Sequence, residues 1–162
     1  MSKISFYHLS TAPLEQALPV LLEKSLSAGH RVVLMAGSRE RVAHLDAHLW
    51  TFDPASFIPH GAGRGDGFES QQPIFLTDED ENPNGADLLV LTDGVTSRHL
   101  ESFTRCLNLF DGQDEAAVVQ ARSYWKDWNA AGHELIYYQQ TERGGWTEKA
   151  RNTKQGEQDA QG

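Results

Sequence analysis

The sequence predicts a single three-layer α/β domain with a mostly parallel sheet. A short β-rich segment at residues 3–9 precedes an amphipathic helical pattern, and the same order recurs at 31–36 and 39–50. Residues 31–36 and 87–92 are nearly continuous apolar runs, typical of strands covered on both faces in a parallel sheet. Two successive strand–helix units favour an open sheet with right-handed crossovers.

The first strand and helix have the clearest signals. Residues 3–9 (KISFYHL) alternate in polarity, and Thr11 and Pro13 suit the start of a helix that runs to about Ala28. Leucine and alanine recur through this helix at three- and four-residue spacing, which makes one wide apolar stripe. That stripe must face a core, and Gly29 ends the helix.

The second unit follows directly, and the pattern then weakens between residues 51 and 85. Ser38 can cap the helix at 39–50, whose Val42, Leu45 and Leu49 face inward. The remaining predicted elements are short strands at 57–59, 73–77 and 87–92, helices at 97–109 and 114–130, and a strand at 134–140. The helix at 97–109 is expected to bury Leu100, Phe103, Leu107 and Cys106.

Domain boundaries follow from composition. Residues 1–146 are predicted to form the one α/β domain, because 162 residues are enough for a single core. Residues 147–162 contain no apolar side chain larger than alanine and are rich in Gln, Gly, Lys and Glu. We therefore expect a disordered polar tail there.

Charge and cysteine content limit the possible functions. The net charge of −9 argues against direct binding to DNA phosphates, because that affinity comes from Lys and Arg displacing counterions. Any role with DNA is expected to be indirect. Cys106 is the only cysteine, which indicates a reducing compartment and a cytoplasmic location. No apolar run has the length of a membrane helix, and we expect no membrane association.

No motif predicts catalysis, a metal site or a cofactor. The glycine run GAGRGDG at 61–67 leads into another predicted strand instead of the helix that a dinucleotide fingerprint needs, and the first strand is not followed by a glycine turn. His44 and His48 share a helix face, but the remaining ligands of a zinc site are missing. Because Cys106 lies in an apolar segment, we expect it to be a small buried apolar side chain rather than a nucleophile.

The last predicted helix carries the most informative cluster. Its sequence, DEAAVVQARSYWKDWNAAG, brings Arg122, Trp125 and Lys126 within about 100° of one another on the helical wheel. On an acidic protein this is an isolated positive spot beside an aromatic side chain. The alternative is that Trp125 belongs to the core and the two cations are merely solvated.

The chain also resembles a known family in an ordered set of segments. They are FYHL, GHRVVLMA, LDAHLWTF, SFIPHG, DLLVLTDG and ARSYWKDWNAAGHEL, in that order along residues 3–146. This set closely resembles the chi subunit of bacterial DNA polymerase III. The resemblance implies a Rossmann-like fold without nucleotide chemistry and a non-catalytic adaptor in DNA replication. Residues 1–146 would then be a chi-like domain.

The resemblance also implies partners and sites. A chi subunit pairs with the psi subunit, which connects it to the clamp loader, and binds the acidic C-terminal tail of single-stranded DNA-binding protein. In the family, that tail ends in an aromatic residue with a free carboxylate. The family's tail-binding positions fall on Arg122, Trp125 and Lys126, and an upstream basic position is Val118 in this sequence. The psi-binding surface is expected around residues 57–59, which are Phe57, Ile58 and Pro59.

A second function class stays open on the residues alone. A small nucleotide- or metabolite-binding enzyme can share the same Rossmann-like sheet, and the glycine run at 61–67 is its only local support. Stabilisation by a nucleotide would favour the enzyme, whereas binding of an acidic peptide would favour the adaptor.

Overall fold

The computed structural model describes residues 2–53, 58–62 and 68–152. These residues form a seven-stranded sheet with three α-helices and two short 3-10 turns at Glu69–Gln71 and Leu100–Ser102. In chain order the elements are β1 (Lys3–Leu9), α1 (Leu14–Ser27), β2 (Val32–Met35), α2 (Arg39–Thr51), β3 (Ile74–Thr77), β4 (Leu88–Leu91), β5 (Arg105–Asp111), α3 (Glu115–Ala130), β6 (Glu134–Gln140) and β7 (Trp146–Arg151).

The strands are ordered β3-β2-β4-β5-β1-β6-β7. All neighbouring pairs are parallel except β6 and β7, which form an antiparallel hairpin at one edge. Helices α1 and α2 cover one face of the sheet, and α3 covers the other. The predicted fold class, a three-layer α/β domain with a mostly parallel sheet, is therefore confirmed.

Two apolar cores lie on the two faces of the sheet. The first core packs the apolar stripes of α1 and α2 on the sheet, and Leu18, Leu22, Leu45 and Leu49 are at most 1% exposed. The second core packs α3 on the opposite face, through Ala121 and Trp128. Alternate residues of each central strand enter opposite cores, which is why those strands read as continuous apolar runs.

The helix starts follow their capping residues. The Ser38 hydroxyl accepts a hydrogen bond from the Arg41 amide at 3.1 Å at the start of α2. The Asp114 carboxylate accepts from the amides of Ala116 and Ala117 at the start of α3. Both caps satisfy amides that would otherwise lack partners, so these boundaries were readable from the sequence.

Helix α1 contains a proline, and a histidine of α2 compensates for it. Pro19 has no N–H, so the carbonyl of Glu15 loses its usual partner four residues on. The His48 Nε2 donates to that carbonyl at 2.5 Å. His44 lies 3.4 Å from the Glu15 carboxylate, through its Nε2. These two histidines therefore contact α1.

The predicted helix at 97–109 is wrong. Only Leu100–Ser102 is helical, as a 3-10 turn, and Arg105–Asp111 form β5 in the middle of the sheet. Leu100, Phe103 and Leu107 are buried as expected, but their helix-like spacing is coincidental. Both faces of β5 are buried, which removes the alternation of polarity that usually marks a strand.

The predicted tail at 147–162 is wrong for its first residues. Trp146–Arg151 pair with β6 as strand β7, and the Trp146 ring packs edge-on against Tyr7 at 4.9 Å. Asn152 then donates to the His133 carbonyl at 2.6 Å and accepts from the Leu135 amide at 3.1 Å. An edge strand is held by backbone hydrogen bonds, so its polar side chains do not prevent folding. Residues 153–162 lie outside the described residues.

Candidate functional site

Trp125 lies between the core and the surface. Its ring centroid is 5.4 Å from that of Phe6 and 6.1 Å from that of Tyr137, the latter in an edge-to-face arrangement. The side chain is half-buried and packs on the edge of the second core. Both interpretations of the sequence are thus partly met, because one side of the indole supports the core while the rest is accessible.

Arg122 and Lys126 are both exposed on the same side of α3 as Trp125. Neither forms an ion pair or a side-chain hydrogen bond with any residue in the described ranges. Their charges are therefore not neutralised by any of the described residues. On a molecule of net charge −9, these two side chains form a local positive surface.

Two valines add apolar area beside the cations. Val118 is half-buried against the second core, whereas Val119 is 64% exposed. Val119, Arg122 and Lys126 are spaced three and four residues apart, so they lie along one helix face. We define the α3 patch as Val118, Val119, Arg122, Trp125 and Lys126. Sequence reasoning missed Val119, because a valine in a helix is usually taken as core.

The sheet contributes two further side chains near Arg122. His8 Nδ1 and the Tyr137 hydroxyl are 2.6 Å apart. Burial lowers the pKa of His8 first, and the charge of Arg122 lowers it further, against a smaller opposite effect of Asp111. Burial raises the pKa of Tyr137, and Arg122 partly offsets that rise. A neutral histidine and a neutral phenol therefore lie near Arg122 at neutral pH.

His8 and Tyr137 could have been identified from the sequence only if the strand order of the sheet had been known. Even-numbered residues of β1 and odd-numbered residues of β6 face α3, since Phe6 pairs with Tyr137 in the parallel register. The crossover from β5 to β6 passes over β1 and carries α3 with it. Without knowing that β1 lies between those strands, nothing connects His8 with Arg122.

The loop after β1 does not present a free phosphate site. The Gln140 side-chain oxygen accepts hydrogen bonds from the amides of Ser10, Thr11 and Ala12, at 3.1, 3.0 and 3.0 Å. In dinucleotide-binding folds, the turn after the first strand presents its amides to a pyrophosphate. Here a carboxamide of the chain itself occupies them.

The residues weighed for chemistry are placed in structural roles. Cys106 is fully buried in β5, and burial raises the pKa of its thiol well above the ordinary value, so the reactive thiolate is disfavoured. No group of three His, Cys, Asp or Glu side chains is arranged to hold a metal ion in the described part of the chain. Within the same residues, no helix is long and apolar enough to cross a membrane.

The segment predicted to contact psi is only partly exposed. Ile58 is 1% exposed and packs into the first core, Pro59 is half-buried, and Phe57 lies outside the described residues. Next to this segment, Trp50 is 50% exposed and its ring lies 4.3 Å from the ring of the buried His60. Ile58 thus lies beneath the surface, and Trp50 is an exposed aromatic side chain among the described residues close to this segment.

Comparisons with known proteins agree on one family. The sequence profile described as "DNA polymerase III chi subunit, HolC" matches residues 1–136. A probable DNA polymerase III subunit chi of Rickettsia prowazekii is 35% identical over 91 residues, which cover 56% of this chain and 54% of that protein. The match thus spans about half the length of that relative.

Two further relatives match over more of their length. The DNA polymerase III subunit chi of Pseudomonas aeruginosa is 27% identical over 83% of this chain and 94% of its own. The subunit chi of Haemophilus influenzae is 28% identical over 67% of this chain and 74% of its own. With the profile covering most of the α/β domain, the chain belongs to the DNA polymerase III chi subunit family.

Proposed function

We propose that this chain is a non-catalytic adaptor of the replication machinery that binds the acidic C-terminal tail of single-stranded DNA-binding protein through the α3 patch. The observation that carries this proposal is the pair of exposed, unneutralised cations at Arg122 and Lys126 on a strongly acidic protein. We place its action in the cytoplasm, and its contact with DNA is indirect.

The side chains of the patch match the chemistry of such a tail. Arg122 can hold a carboxylate by two parallel hydrogen bonds, and Lys126 adds a point charge one turn further along α3. The accessible part of Trp125 and the exposed Val119 offer apolar area to the aromatic residue that ends the tail. Since Val118 replaces a basic position of the family pattern, apolar contact should carry more of the affinity here.

Calorimetry with a synthetic acidic peptide that ends in an aromatic residue with a free carboxylate tests this function. We expect a dissociation constant on the order of micromolar at low salt, weakening as salt rises because the contacts are exposed. The same peptide with an amidated C-terminus should bind about tenfold more weakly, since it lacks the terminal charge. Equal affinity for the two peptides would contradict recognition of the terminal carboxylate.

We further propose that the psi subunit docks around Pro59 and Trp50 and thereby joins this chain to the clamp loader. Trp50 supports this because large aromatic side chains on a surface are frequent anchors of protein interfaces. The α3 patch lies on the opposite face of the sheet from α2, which carries Trp50. One adaptor can then hold both partners at once.

Co-purification with tagged psi tests this second surface. Trp50→Ala should reduce the recovered complex severalfold, because it removes the anchor while leaving the two cores intact. Val20→Ser is the matched control, since Val20 is also 50% exposed but lies on α1. Unchanged recovery with Trp50→Ala, or an equal loss with Val20→Ser, would overturn the placement of psi at Trp50.

A further inference from the structure

A cleft opens at the carboxyl ends of the central strands. Strands β1 and β5 are neighbours, but the helices that follow them, α1 and α3, leave to opposite faces of the sheet. Open α/β sheets bind small molecules in the crevice at such a point. In this chain the crevice has a volume of about 780 Å³. It is separate from the α3 patch, none of whose residues lines it.

Asn108 is the unusual residue of the cleft. It is 2% exposed, lies in β5 and lines the cleft. Its side chain makes no hydrogen bond to any described residue, and its polar atoms are not among the sealed, unpartnered ones, so the carboxamide reaches the cleft. The side chains of α3 that also line the cleft include Ala117 and Ala121, which leave space for a partner. The geometry thus leaves a carboxamide available to a molecule in the cleft.

The charges of the cleft favour a cation. Arg41 is the one basic side chain among the described residues that line it. Four lining side chains are acidic, namely Glu15, Asp93, Asp111 and Asp114. Arg41 is already paired, since it lies 3.2 Å from the Asp93 carboxylate and 3.7 Å from that of Glu15. Four carboxylates and one guanidinium give these lining side chains a formal net charge of −3, which an anionic ligand would have to approach.

The two sites where this fold usually accepts an anion are both occupied by the chain itself. The Gln140 side-chain oxygen accepts hydrogen bonds from the amides of the loop after β1, and the Asp114 carboxylate accepts them from the first amides of α3. A phosphate would have to displace an internal hydrogen-bond acceptor at either place. The structure therefore disfavours nucleotides and other phosphorylated ligands.

We propose that this cleft binds a small organic cation with an ammonium or guanidinium group. The Asn108 carbonyl oxygen accepts a hydrogen bond from the cation inside the cleft, and the exposed carboxylate of Asp111, which is not paired with Arg41, provides the charge at its mouth. The site goes beyond the proposed adaptor function, because it lies on a different part of α3. It also selects a cation, whereas the α3 patch is proposed to bind an acidic peptide.

Titration of the ¹⁵N-labelled full chain with L-argininamide, followed by NMR, tests the proposal. We expect saturable shifts of the Gly94, Gln113 and Gln120 amides and of the Asn108 side-chain NH₂ group. Asn108→Leu preserves size but removes the carboxamide, and should weaken binding about tenfold. Asp111→Asn should also weaken it severalfold. The control Asp127→Asn changes the net charge equally, at an α3 residue outside the cleft, and should bind as the parent does.

Each result is decisive. Absence of saturable shifts in the parent, or saturable binding of inorganic phosphate at the same amides, overturns the proposal. Unchanged affinity in Asn108→Leu would overturn the hydrogen bond between the cation and the Asn108 carboxamide. If that variant fails to fold, Asp111→Asn decides: equal weakening by Asp111→Asn and Asp127→Asn would reveal a general charge effect rather than a site.

Discussion

Replacing Arg122 and Lys126 together with glutamate is expected to weaken binding of the acidic tail peptide by at least about 100-fold. Removing a cation that hydrogen-bonds a carboxylate commonly costs about 1.5–3 kcal/mol, and reversing its charge adds repulsion. Both side chains are exposed and unpaired with any described residue, so stability should change by no more than about 0.5 kcal/mol. Calorimetry and urea unfolding on the same preparation measure the two effects separately.

The matched control reverses two other exposed cations. Arg143→Glu with Lys149→Glu changes the net charge by the same amount, but these residues lie in the β6–β7 hairpin. We expect this control to lower affinity only slightly, through long-range repulsion that added salt removes. If both double variants lost binding equally, the overall charge and not the α3 patch would govern the interaction.

The shared helix face of Arg122, Trp125 and Lys126 was predictable because helical spacing alone determines it. An N-cap at Asp114 sets the start of α3, and the 3.6-residue period then fixes which side chains share a face with Arg122. Ala121 and Trp128 turn inward as their spacing indicates. The degree to which Trp125 is exposed was not predictable, because it depends on the rings of Phe6 and Tyr137 in distant strands.

Errors occurred where long-range pairing decides the structure. The segment that forms β5 carries apolar residues on both sides, so its local pattern fits a buried helix as well as a buried strand. Strand β7 is polar, and its order comes from pairing with β6 and from the contact of Trp146 with Tyr7. The composition of residues 146–151 alone reveals neither the pairing with β6 nor the contact with Tyr7. Likewise, a role for Asn108 in β5 could not be predicted without the cleft that it lines.

Phe6→Ala is expected to lower the free energy of unfolding by about 3–5 kcal/mol, the usual cost of truncating a fully buried phenylalanine. Phe6 is 0% exposed, and its ring centroid lies 5.5 Å from that of Trp128 and 6.1 Å from the stacked ring of Tyr137. A domain of ordinary stability has about 5–15 kcal/mol in total, so this one substitution should remove a large share of it. Urea unfolding at 25 °C measures the loss.

Two other substitutions show whether packing or mere loss of an aromatic ring causes the effect. Phe68→Ala removes a ring that is 55% exposed and should cost much less than Phe6→Ala. Phe6→Leu leaves most of the volume filled, so it should stay folded at 25 °C. Because Phe6 supports the inner side of Trp125, this folded variant should also bind the acidic peptide severalfold more weakly. Undiminished affinity in Phe6→Leu would mean that the position of the indole does not depend on the ring beneath it, and that the cations alone define the patch.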